Sequence, residues 1–173
     1  MSSPTLLAIL SHVPAWVWGL LAFIIAMGVL QSRDQTQARA RLLILPLAWA
    51  AFGAWGVEQS FGLHLLPLLA WAAGLFLGLL LVKRSGWPGQ ARFEADTQRF
   101  FVPGSWLPLA LMLGIFISKF ALGMSLALRP QLAQEPAVAL GFALLFGALG
   151  GVFLGRSRNI LARAPVAGPL VRA

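Results

Sequence analysis

Glu58 and Lys119 are two ionisable side chains that fall inside stretches otherwise made almost wholly of apolar residues. In hydrocarbon a charged side chain costs about 2.5–3.5 kcal/mol at a helix centre, so such a residue is functional by default. A cation at that depth suits an anionic ligand or a proton-coupled step, and a carboxylate is its natural partner. Glu58 shares a helix face with the small residues Ala51 and Ala54, while Ser118, next to Lys119, belongs to a small and partly polar seam. Lys119, Glu58 and Ser118 are therefore the candidate residues for handling a ligand or ion. A lysine stem can lift its ammonium, which makes a Glu58–Lys119 contact sterically feasible. The plain alternative has Lys119 snorkelling alone and Glu58 reaching the headgroups.

His12 and His64 are the only histidines, and both fall at the same end of the apolar runs. Imidazoles bind metals and haem iron, although hydrogen bonding at an interface accounts for two isolated histidines more simply. The chain has no Cys and no Tyr, so thiol chemistry, disulfides and thiolate metal sites are excluded. No P-loop, HExxH, GxSxG or dinucleotide fingerprint is present. No nucleophile or acid–base pair supports an enzyme, and no cofactor is indicated.

The elements that position these residues follow from composition. The 173 residues are 59% hydrophobic and 10% charged, with mean hydropathy +0.82. Soluble domains carry about 25% charged residues, and long apolar runs with so few charges mean membrane-spanning helices. The net charge of +8 does not indicate nucleic acid, because the basic residues flank apolar runs and do not form a soluble basic face. Five spans are expected, near 14–31, 42–60, 65–83, 105–128 and 137–155. The first reads as a span and not a leader, since no Lys or Arg precedes Arg33. The fold class expected is an all-α integral membrane bundle of five transmembrane helices forming one domain over 1–160, with a disordered cytoplasmic tail over 161–173.

Lys and Arg set the orientation. Arg33, Arg39 and Arg41 follow the first span, Lys83, Arg84, Arg92 and Arg99 lie between the third and fourth, and Arg156, Arg158, Arg163 and Arg172 follow the fifth. Only Arg129 lies on the opposite side. The basic side is expected to be cytoplasmic and the N-terminus periplasmic, with the lipid bilayer as the surrounding partner. Trp16 and Trp18 then suit the outer headgroup belt, and Trp87 and Trp106 the inner one. The long connection 84–104 contains Phe93 and Phe100 seven residues apart, a spacing that suits a short interfacial helix; a solvated loop is the alternative.

Two stripes of small residues recur at four-residue spacing: Ala70, Gly74 and Gly78 in the third span, and Gly147, Gly151 and Gly155 in the fifth. Helices associate in lipid by close approach, and small residues permit it, so these are helix-packing faces. "LPLA" opens both the second and fourth spans, and "GLFLG" and "GVFLG" close the third and fifth. Spans two–three and four–five thus read as two copies of one hairpin.

The segments "SHVPAWVWGLLA", "RARLLILPLA" and "RFFVPGSWLPLALMLGIFISKFALGMSLALRP" resemble a family of small proteobacterial multi-pass inner-membrane proteins of unknown function. The resemblance rests most on His12, Pro14, Trp16, Val17 and Trp18, and on Val102 to Trp106. It implies a bacterial inner-membrane location and no particular activity. The leading functional expectation is a membrane protein that binds or moves a small ligand or ion near Glu58 and Lys119. The alternatives are an assembly subunit, docking other membrane proteins or a second copy through its glycine faces, and a haem or metal redox protein using His12 and His64.

Overall fold

The computed structural model describes residues 13–164. Among these residues five α-helices and a small sheet follow in the order α1 (Ala15–Gln31), β1 (Gln35–Gln37), α2 (Arg39–Phe61), α3 (Leu65–Ser85), β2 (Arg92–Glu94), β3 (Arg99–Val102), α4 (Leu107–Leu128), a 3₁₀ turn (Pro130–Gln134) and α5 (Pro136–Leu161). The helix limits follow local chemistry. Gly62 and Gly86, at φ +78° and +67°, take the left-handed side of the map where α2 and α3 stop. Pro136 opens α5 at a position where the missing N–H is not needed.

Helices α2, α3, α4 and α5 are each long and apolar enough to cross a membrane. α1 is apolar but has 17 residues, about 26 Å of helix against a hydrocarbon core of about 30 Å. Of the five spans expected, four are therefore helices of membrane-crossing length among the described residues, and α1 falls short of that length. α5 exceeds its expected limits, running to Leu161 instead of stopping near 155. The tail expected to be disordered lies, from residue 165 onward, outside the described residues.

Consecutive helices touch little. α5 packs along the whole of α3 and against part of α2, while α1 lies against α4. The α3–α5 seam is built from glycine. A Cβ added at Gly74 or Gly78 would run into the carbonyl oxygen of Leu144 or Ala148, and one at Gly147 or Gly151 into that of Trp71 or Leu75. The register rises together on both helices, so they run parallel. Ala70 joins the cluster of Val57, Phe61, Leu122, Ala139, Ala143 and Phe146, which fills the space between α2, α4 and α5.

The connection expected to be an interfacial helix or a loop is instead a β-hairpin. β3 is central in a three-stranded antiparallel sheet of order β1-β3-β2. Phe93 and Phe100 are cross-strand partners, edge to face at 5.1 Å; their seven-residue spacing spans a turn, not two helical turns. Phe100 and Val102 alternate inward along β3 and meet Leu42, Ala91 and Ile160 in a second core. The Val102–Trp106 motif ties this end together. Gly104 lies against the Ser32 carbonyl, its N–H donates to Asp34 Oδ1 at 2.8 Å, and the Ser105 N–H donates to Gln31 O at 3.2 Å.

Candidate functional site

Lys119 lies near the middle of α4, and its side chain crosses to α2. Nζ donates to the carbonyl oxygen of Gly56 at 3.0 Å and sits 4.4 Å from the centre of the Phe146 ring. Ser60 Oγ donates to the same carbonyl at 2.8 Å, so this oxygen carries side-chain donors from two helices. Gly56 makes the approach geometrically open, since a Cβ there would lie 2.7 Å from the ammonium. A hydrogen bond from a charged group contributes about 1.5–3 kcal/mol and a cation–π contact roughly 0.5–2 kcal/mol. Together these match the insertion cost of the lysine, so its position needs no carboxylate.

Glu58 is not the partner. It is half-buried on α2, about 200° round the helix from Gly56, and among the described residues the Lys119 ammonium makes its hydrogen bond to the Gly56 carbonyl. Ser118 is also half-buried and does not line the cavity that Lys119 lines. The structure thus brings Lys119 to Gly56 and Phe146, and brings neither Glu58 nor Ser118 to that point.

The cavity has a volume of about 180 Å³ and lies between α2, α4 and α5. Its walls are Trp49, Phe52, Gly53, Ile115, Phe146, Gly150 and Phe153, with Lys119 the only charged residue among them. Ammonium groups carry three donors, and one is used here. The arrangement is a cation at the head of an aromatic slot.

His64 is exposed at the other end of the bundle, just before α3. It lines a broader hollow of about 600 Å³ with Glu135, Gln134 and mainly apolar neighbours, between the α2–α3 turn and the start of α5. That hollow is larger than the Lys119 cavity but opens at the helix ends, where water competes for every polar contact. His12 lies outside the described residues. Among the described residues no three His, Asp or Glu side chains converge as a metal site.

Two side chains at the sheet end have structural roles beyond the sequence expectations: Asn159, and Arg156, expected only as one of the basic residues that follow the fifth span. Asn159 Nδ2 donates to Val82 O at 2.8 Å and to Trp87 O at 2.9 Å, fastening α5 to the end of α3 and the connection after it. Arg156 is buried, with 6% of its surface exposed. Trp87, expected in a headgroup belt, is half-buried with the Arg156 guanidinium 5.3 Å from its ring centre. Asn159 continues the Gly147, Gly151, Gly155 stripe by one more four-residue step, whereas Arg156 lies about 100° round the helix from Gly155, so the stripe is a sequence signal for Asn159 alone.

Helices of membrane-crossing length around a cationic aromatic cavity define a multi-helix protein suited to the bilayer. The chain belongs to a family of unknown function, DUF6622, whose model matches residues 2–169. No curated protein and no solved structure matches it.

Proposed function

We propose that this chain is a multi-pass inner-membrane protein that binds a small amphipathic anion in the Lys119 cavity. The observation that carries the reading is the Lys119 ammonium, with one acceptor of its own, at the polar end of a 180 Å³ slot lined by aromatic residues. A carboxylate would satisfy the remaining donors, and an apolar body of a few carbons would fill the slot. The glycine stripes do not favour an assembly subunit, because each is occupied by the other. The two hairpins α2–α3 and α4–α5 are read as copies, consistent with the parallel run of their glycine-bearing helices. The basic end is read as cytoplasmic.

Hexanoate and hexanol test the reading on the purified protein in detergent. A ligand that binds only the folded state raises the unfolding temperature with its concentration. Hexanoate is expected to raise it in the wild type and not in Lys119→Met, while hexanol raises it in neither. Equal shifts in wild type and Lys119→Met, or no shift with hexanoate, would overturn the assignment.

A further inference from the structure

Arg156 presents a different problem from Lys119. Among the described residues it is the one charged side chain that is buried, and its Nε has no hydrogen-bond partner. The indole of Trp87 lies 5.3 Å from its guanidinium carbon. The guanidinium also borders a hollow of about 40 Å³ between α2 and α5 that Arg41, Gln31, Gln37 and Ser157 line as well. A narrower recess beside it shares Gln31, Gln37 and Arg156 and adds Arg33. No Asp or Glu lines either space.

Burying a cation without a counter-charge is strongly unfavourable, and one cation–π contact does not replace hydration of the whole guanidinium. Arginine guanidinium, glutamine amide and serine hydroxyl groups are together the donor set that holds a tetrahedral oxyanion. At about 40 Å³ the hollow has room for about three waters, a space that can receive part of one phosphate group and is far too small for a lipid. It lies at the end of the bundle where the basic residues other than Lys119 and Arg129 gather among the described residues, and basic recesses between helices at that level suit anionic headgroups.

We propose that Arg156, with Arg41 and Gln37, forms a binding site for a phosphate oxyanion, supplied by the headgroup of an anionic phospholipid or by free phosphate. The site is separate from the Lys119 cavity. Trp49 and Phe153 border both spaces, and their rings stack at 6.4 Å as the partition between them.

The test uses the full chain, stripped of lipid in a neutral detergent, with inorganic phosphate, phosphatidylglycerol and phosphatidylcholine as probes. Binding is read by thermal shift and, for the lipids, by native mass spectrometry. Phosphatidylglycerol is expected to bind more tightly than phosphatidylcholine, with binding weakened roughly ten- to a hundredfold in Arg156→Met and in Arg41→Gln. Arg158→Gln removes a charge from the same end at an exposed position lining neither space, and should bind like the wild type. If inorganic phosphate binds with the same dependence on Arg156 and Arg41, the free anion suffices; if only the lipid does, the headgroup is the ligand. Arg41 is exposed, so Arg41→Gln keeps the test decisive should Arg156→Met fail to fold. Equal binding by wild type, Arg156→Met and Arg41→Gln, or no binding of either phosphate source, overturns the site. The hexanoate result is read at Lys119 and does not bear on this outcome.

Discussion

Lys119 shows how a charge within an apolar helix can be held by a backbone carbonyl and an aromatic face, without a carboxylate. Its ammonium meets the Gly56 carbonyl and the face of Phe146, and Glu58 stands elsewhere on α2. A double-mutant cycle reads this directly. Lys119→Met and Glu58→Gln are expected to change stability additively, within about 0.3–0.5 kcal/mol, because the groups share no contact. A double mutant markedly less damaged than the sum of the singles, in detergent unfolding, would show that the Glu58 carboxylate and the Lys119 ammonium interact after all. Lys119 was legible in the sequence because a charge in an apolar run stands out at any distance from its partners. Gly56, Arg156 and Asn159 were not. Gly56 matters only through a lysine 63 residues away, and Arg156 looked like one more basic residue flanking a span until α5 proved longer than its apolar stretch.

At the level of the elements, the glycine spacing was readable because close helix approach requires small residues at every fourth position. Which helix they face was not, since nothing local says that α3 and α5 run side by side. Substitutions separate contact from exposure. Gly151→Leu would force the α5 side chain into the Leu75 carbonyl and is expected to cost about 1–3 kcal/mol or more. Gly141→Ala, at an exposed helical position with nothing within 4 Å of the added Cβ, should be neutral or stabilising by about 0.5–1 kcal/mol. Unfolding midpoints in detergent compare them, and a Gly151→Leu midpoint equal to the wild type would mean that the seam is looser than described. The hairpin β2–β3 was missed for a different reason. Phe93 and Phe100 fit a helical spacing equally well, and the deciding signs were the Asp96-Thr97 turn chemistry and the alternation of Phe100 with Val102. The sheet closes only through β1, which lies some 65 residues earlier in the chain, and short-range periodicity cannot register that.

For the molecule as a whole, the sheet, the ends of α1, α3 and α5, and the starts of α2 and α4 share one end, and the basic residues other than Lys119 and Arg129 lie there or beyond the described residues. The proposed orientation makes that end cytoplasmic. The chain has no cysteine, so single cysteines report without background. Gln131→Cys, in the exposed turn between α4 and α5, is expected to react with an impermeant thiol reagent in intact cells. Thr97→Cys, in the exposed hairpin turn, is expected to react only after lysis; the reverse pattern would invert the molecule.

The parallel α3–α5 seam also sets an order in time. About 70 residues separate Gly74 from Gly147, and synthesis at about 5–20 residues per second makes that an interval of roughly 4–14 seconds. During that interval the α3 glycine groove exists with no helix to fill it. The most extensive helix–helix contact among the described residues therefore closes last, when α5 emerges, and every earlier stage of biogenesis passes through a chain whose principal groove is open to lipid or to whatever assists insertion.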